Sequence, residues 1–265
     1  MRKIKIIVCI KQVPDTEGPA SAFEVNPVTL EVIPVGIPPV ISPYDENALE
    51  AALRFKEKNG AEVVAISLGE KLSKQVLRKA LAAKADDLIL LEDPLFKNID
   101  SYSTAYVLSR MIERIGPYDL ILTGRQAGDW DFGLTGLLIA EILKIPSINL
   151  ARKVTIIDNN KVLVEKLNRD GYQVVSSPMP VLITVSSEVG DLRYTSVTAL
   201  KAVSSKPMKV YSAADLEIDR EKLETRHILK LVPNNIQREC RYVKGESSQE
   251  KGENLATLLR EDGVI

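Results

Sequence analysis

Arg125, Asp129, Trp130 and Asp131 stand together in one glycine-rich stretch, Gly124-Arg125-Gln126-Ala127-Gly128-Asp129-Trp130-Asp131-Phe132-Gly133-Leu134-Thr135-Gly136. A guanidinium is a planar fork of donors that suits phosphate or pyrophosphate, and it equally suits a surface ion pair. Asp129 and Asp131 fit the capping of a following helix and the acceptance of a ribose hydroxyl better than a catalytic acid–base pair. Trp130 offers a face for stacking on a ring system, or a packing anchor for its own loop. These residue types point to the holding of a nucleotide or phosphate, and no catalytic residue is nominated among them.

The elements that must position them are a strand, a turn and a helix. Leu120-Ile121-Leu122-Thr123, led by Tyr118 and Asp119, reads as an apolar strand, and residues 133–143 as a helix. That order puts free backbone N–H groups at a helix N-terminus, a place that attracts phosphate. The spacing is not G-x-G-x-x-G and lacks the G-K-[ST] ending of a P-loop, so no standard dinucleotide site is named by it.

Composition narrows the classes. The 265 residues suffice for one large domain, or one domain with an accessory part. Apolar residues at 45% and charged residues at 27% are an ordinary globular balance, and a net charge of −1 gives no general field toward nucleic acid or an anionic membrane. The lysines from Lys201 to Lys209 have no interleaved aromatic platform, so they read as a solvated segment beside a partner. A single histidine, His227, excludes a multi-histidine metal site, and its charged surroundings make it a solvated residue. Cys9 lies in an apolar strand that shields its thiol, which favours close packing over redox chemistry. With only Cys240 beside it there is no disulfide framework, and a reducing cytoplasm is the expected compartment, with membrane contact only through a partner. No signal-peptide pattern opens the chain, and no apolar run nears the roughly 20 residues of a membrane span.

Strand patterns at residues 4–10, 62–67, 87–91 and 120–123 alternate with helical patterns at 45–58, 72–83, 101–115 and 133–143. Asp45 is the expected N-cap of the first helix and Asn59-Gly60 its stop. A hairpin excursion is expected around Asn26-Pro27. Such alternation predicts an α/β fold, a Rossmann-like parallel sheet with helices on both faces. From about residue 150 the chain turns β-rich, with strands at 154–157, 162–167, 172–176 and 181–185. A short helix at 198–203 follows. Beyond residue 213 the chain is charged, and a terminal helix at 248–260 carries a thin stripe of Leu255, Leu258 and Leu259 that suits packing on a partner. The expected organisation is a nucleotide-binding domain over 1–212 with a β-rich extension at 150–190, and a C-terminal partner-binding arm over 213–265.

Four segments resemble the β subunit of electron transfer flavoproteins. They are Val8-Cys9-Ile10-Lys11-Gln12-Val13-Pro14-Asp15, then Ile41-Ser42-Pro43-Tyr44-Asp45-Glu46-Asn47-Ala48-Leu49-Glu50-Ala51-Ala52, then the Gly124–Asp129 loop. The fourth runs from Val164-Glu165-Lys166-Leu167-Asn168-Arg169-Asp170-Gly171-Tyr172 through Pro178-Met179-Pro180-Val181-Leu182-Ile183-Thr184-Val185. The resemblance covers roughly residues 1 to 215 in order and spacing. It implies an adenine nucleotide α-hydrolase-like core and a heterodimer with an α subunit that carries the electron-transferring FAD. The β subunit of such a pair holds AMP, or a second FAD in electron-bifurcating members. By motif position the resemblance assigns the nucleotide to Cys9, Ser42, Pro43, Tyr44, Asp45, Ser67, Leu68 and the whole Gly124 to Gly136 loop.

Two departures tilt that expectation toward FAD. The AMP-type loop runs D-D-D-C-N-Q-T-G, and here its Asn and Gln positions are Gly133 and Leu134, which leaves more room and fewer donors. Lys11-Gln12-Val13-Pro14-Asp15-Thr16 also resembles the bifurcating members. The implied partners are NADH or a dehydrogenase as donor, and ferredoxin- or quinone-linked acceptors. Arg193-Tyr194-Thr195-Ser196-Val197-Thr198-Ala199-Leu200 resembles the family's recognition loop, so Arg193, Tyr194, Val197 and Leu200 are the expected partner contacts. Val197 stands where the common anchor is leucine, a loss of roughly one methylene or about 0.8 kcal/mol. A nucleotide sensor of the same fold without a redox role is the competing class. An ATP-using ligase is disfavoured by the lack of a Ser-Gly-Gly-x-Asp-Ser loop.

Overall fold

The computed structural model of the protein describes residues 3–29, 31–158, 160–223 and 240–265. The chain forms two units, residues 1–229 and 230–265. In the first, the elements in chain order are β1 (Lys5–Cys9), β2 (Gln12–Pro14), β3 (Phe23–Val25), β4 (Val32–Pro34), β5 (Pro39–Ile41), α1 (Pro43–Asn59), β6 (Glu62–Gly69), α2 (Lys74–Leu77), α3 (Lys79–Ala82) and β7 (Asp87–Glu92). Then come α4 (Ser101–Ile115), β8 (Leu120–Gly124), α5 (Thr135–Leu143), β9 (Ser147–Asp158), β10 (Lys161–Asn168), β11 (Gly171–Pro178), β12 (Val181–Val185), α6 (Val197–Val203) and β13 (Lys209–Tyr211). The second unit carries α7 (Ser248–Glu261), capped by Ser247 Oγ, which accepts from Glu250 N–H at 3.1 Å.

The sheet order is β11-β10-β9-β12-β8-β1-β6-β7-β13. From β9 to β13 every neighbouring pair is parallel; β10 and β11 extend the β9 edge as antiparallel strands. The fold is therefore the α/β sheet with a β-rich extension that the alternation implied. β1 is buried on both faces because helices cover both. Ile6 and Val8 face the layer of α1 and α3, while Ile7 and Cys9 face that of α4 and α5. On α4 the residues Ala105, Val107, Leu108, Met111 and Ile112 keep a helical stripe against the sheet. Each large side chain so buried contributes about 1.5–3 kcal/mol.

The small hairpin is present, with Phe23 opposite Pro34 and Val25 opposite Val32. Local details differ from expectation. Asp45 is not the N-cap of α1: Ser42 holds that place, Pro43 follows it, and Asp45 sits buried in the first turn. The helix expected at 72–83 is two short pieces that meet at Arg78. The helix expected from 133 starts at Thr135, because Gly133 has φ +64° and cannot join a right-handed helix. Residues 213–223 belong to the first unit: Ala213 N–H donates to Asp93 Oδ2 at 3.0 Å, and Leu216 is buried beside α4. His227 lies outside the described residues.

Candidate functional site

β1 pairs with β6 on one side and with β8 on the other, so chain order reverses between β1 and β8. Ligands of open α/β sheets bind outside the carboxyl ends of strands at such a point. A cavity of about 870 Å³ opens there. Its floor is Cys9 to Gln12 after β1, Leu68 and Gly69 at the end of β6, and Thr123 and Gly124 at the end of β8. One wall is the loop to α5; others are Val32, Ile33 and Pro34 of the hairpin and the run from Phe96 to Ser101.

The first turn of α1 organises the floor. Asp45 Oδ2 accepts from Lys11 N–H at 2.8 Å and Asp45 Oδ1 from Gly124 N–H at 3.0 Å, tying the two strand ends together. Burial pushes the Asp45 carboxyl up to about 7 against the pull of those two N–H donors and the nearby Lys11 ammonium. The approach at Gly124 is so close that a Cβ there would stand 2.6 Å from Asp45 Oδ1 and 2.7 Å from Tyr44 C. Ser42 Oγ accepts from Gly128 N–H at 3.3 Å. Tyr44 lies under Arg125, whose guanidinium is 4.7 Å from the ring centroid and whose Nη2 donates to the phenol oxygen at 3.3 Å. Arg125 Nε is buried without a partner, and no ion pair to Arg125 is formed among the described residues.

The loop itself is cross-braced. Lys11 Nζ meets both oxygens of Asp129, at 2.7 and 2.6 Å, and Gln126 Nε2 donates to Asp131 Oδ1 at 2.7 Å. Neither aspartate caps α5, contrary to expectation, because each is already taken by these partners. The N-cap of α5 is Leu134, which supplies no side-chain bond. Its first-turn N–H groups thus lack a side-chain cap, and Gly133 to Gly136 line the cavity.

Of the residues assigned by motif, Cys9, Asp45, Leu68, Gly124 to Trp130 and Phe132 to Gly136 line the cavity. Ser42, Pro43 and Tyr44 stand behind the loop as its brace, Asp131 turns away with φ +55°, and Ser67 is buried off the lining. The Cys9 thiol is pushed up by burial and by Asp45, which keeps it protonated and inert. Lys11, Thr16, Lys97 and the hairpin also line the cavity and were not nominated as nucleotide contacts. Lys11 and Thr16 were marked only by the family resemblance of their segment, and no local pattern marked Lys97 or the hairpin as part of the lining. Among the described residues no cluster of three His, Cys, Asp or Glu suits a metal ion, and no helix is long and apolar enough to cross a membrane.

The model of the family described as "Electron transfer flavoprotein domain" matches residues 29–216. The electron transfer flavoprotein subunit beta of Thermoanaerobacterium thermosaccharolyticum is 42% identical over 221 residues, 83% of each chain. This chain belongs to the electron transfer flavoprotein beta-subunit family. The caffeyl-CoA reductase-Etf complex subunit CarD of Acetobacterium woodii is 36% identical over 82% of each chain, and the protein FixA of Azotobacter vinelandii 34% over 80% of this chain and 76% of its own.

In this family member the segment from Arg193 to Leu200 is split in character. Tyr194 is 89% exposed and Val197 63%, while Leu200 is half-buried. Arg193 points inward: its backbone N–H and its guanidinium both bond Glu50 of α1, and the guanidinium also reaches Glu57. Asn47 Nδ2 donates to Gly190 O at 2.8 Å and Arg54 Nη1 to Val189 O at 2.7 Å, so one face of α1 holds the stretch before Tyr194.

Proposed function

We propose that this chain is the nucleotide-holding subunit of a heterodimeric electron transfer flavoprotein, and that FAD is the nucleotide. The observation that carries the reading is the cavity at the strand-order reversal, whose size of about 870 Å³ lies near the top of the range for small-molecule sites, roughly 300–1,000 Å³. The donor set fits a pyrophosphate: an α5 N-terminus without a side-chain cap and a guanidinium with a buried, unpartnered Nε. Gly133 and Leu134 in place of polar residues leave the space a dinucleotide needs beyond an AMP.

When bound, FAD supplies the one- and two-electron chemistry, and the protein supplies binding and orientation. Arg125 and the first-turn N–H groups of α5 hold the phosphates. Asp129, already neutralised by Lys11, accepts a ribose hydroxyl. Asp45 fixes the two strand ends beneath them. The α subunit covers the end of the arm expected over 213–265, including α7. Electrons enter from NADH or a dehydrogenase and leave to ferredoxin- or quinone-linked acceptors, with Tyr194, Val197 and Leu200 at the contact with the redox partner. A relative named as a subunit of a caffeyl-CoA reductase-Etf complex supports operation within such an assembly.

The test is to purify this chain with its α partner and count nucleotides. Two FAD per heterodimer, both reduced by NADH, are expected for a bifurcating pair. One FAD and one AMP would replace this reading with that of a simple, non-bifurcating carrier. A colourless complex binding AMP alone would leave a nucleotide sensor without redox function.

A further inference from the structure

Trp130 is the only tryptophan of the chain, and it is left 42% exposed on the wall of the cavity. Phe132 and Leu134, at 53% and 51% exposed, line the same wall. A tryptophan that merely anchored its loop would be buried, and this one is left in large part open. The indole and the Phe132 ring are instead parallel within 9°, with centroids 6.1 Å apart. Both ring faces sit on a braced loop. Asp131 between them is held in the left-handed conformation by Gln126 Nε2 and by its own N–H to Ala127 O at 3.1 Å, and Trp130 N–H donates to Asp129 Oδ1 at 3.0 Å.

We propose that Trp130 and Phe132 form a stacking platform for the planar heterocycle of the bound nucleotide, with Trp130 its larger face. This rests on the reading of the cavity as a nucleotide site. Phe132 precedes Thr135, the first residue of α5, by three residues, a span of at most about 10 Å. A ring stacked on the platform therefore lies within one nucleotide's length of the N–H groups that take phosphate. Aromatic stacking tolerates either heterocycle, isoalloxazine or adenine, because each presents a π-face. A preorganised aromatic pair raises affinity without the cost of ordering flexible side chains.

The experiment uses the heterodimer freed of nucleotide and reloaded with FAD or with AMP, in wild type, Trp130→Phe, Trp130→Ala and Phe132→Ala. Trp130→Ala is expected to weaken the bound nucleotide about ten-fold or more, with Trp130→Phe within about three-fold of wild type. If isoalloxazine is the ring on the indole, the bound flavin shows a long-wavelength charge-transfer tail that Trp130→Phe loses, and AMP affinity is unmoved by Trp130→Ala. If adenine is that ring, no tail appears, and FAD and AMP weaken together. Trp130 is exposed, so the variants keep their far-UV circular dichroism. Affinity in Trp130→Ala and Phe132→Ala within two-fold of wild type for both ligands overturns the platform while leaving the nucleotide site standing. Failure of the wild-type complex to take up either ligand overturns the nucleotide site and the platform with it.

Discussion

Arg193 donates from Nε and Nη2 to the two carboxylate oxygens of Glu50, at 3.0 and 3.1 Å, in a bidentate pair that is almost closed to water on the Glu50 side. Burial alone would raise the Glu50 carboxyl. The Arg193 side chain and backbone N–H, with Arg54, hold it below the usual carboxylate range instead. The pair's contribution is therefore present above pH about 4.5 and is lost as pH falls through the lowered value.

Glu50→Gln should cost roughly 3 kcal/mol in a urea unfolding experiment, the low end for removing one partner of a buried pair, since Arg193 keeps 23% of its side chain exposed. Amide exchange over residues 189–193 should quicken in the variant while that of β1 stays slow. Unchanged exchange in that segment would show that Asn47 and Arg54 hold it unaided.

Asp45 carries the opposite sign. Its folded pKa of about 7 lies above the ordinary 3.8, so its contribution to stability is fully present below pH about 4 and lost as pH rises through 7. Cys9, Lys11 and Asp129 are the titratable groups that face it. Between pH 5 and 8 the stability of Asp45→Asn relative to wild type should rise, read from denaturation midpoints at both values. A constant difference between the two proteins would mean that the carboxyl is ionised throughout.

Gly124→Ala places a methyl against Asp45 Oδ1 and the Tyr44 backbone, neither of which can move without parting β1 from β8. Overpacking of this kind costs about 1–3 kcal/mol. The purified complex should lose most of its nucleotide, counted after denaturation. Full retention would mean that α1 shifts as a body to make room.

Glu31 and Lys97 form an ion pair that joins the hairpin to the run after β7, both groups lining the cavity. At 32% and 49% side-chain exposure the pair is open to water and ions, so it is a weak latch. Glu31→Gln should thus speed nucleotide release by no more than about five-fold, and added salt should erase the difference. A release rate altered a hundred-fold in stopped-flow would give the hairpin a larger part in holding the ligand.

Much of this was legible in the residues. The alternation of apolar strand runs with helical segments gave the parallel sheet, and the glycine-rich loop marked one wall of the cavity. The rest depended on contacts far apart in sequence. No local pattern says that Asp45 reaches Lys11 and Gly124, so it looked like a helix cap when its backbone had already turned helical. Arg193 looked outward-facing because the acids that claim it lie on α1, at least 136 residues away. Asp129 and Asp131 were read as caps of the helix that follows them, whereas Lys11 and Gln126 satisfy them first.

α1 holds Gly124 and Gly128 with its first turn and residues 189–193 with the stripe of Asn47, Glu50, Arg54 and Glu57. It works as a ruler between two loops that never meet in sequence. One residue inserted after Asp45 would turn the stripe by about 100° and lengthen the helix by about 1.5 Å, leaving Arg193 without its carboxylates while the nucleotide loop kept its own. The length and phase of this one helix are therefore fixed twice over, so an insertion within it cannot be absorbed by either loop alone.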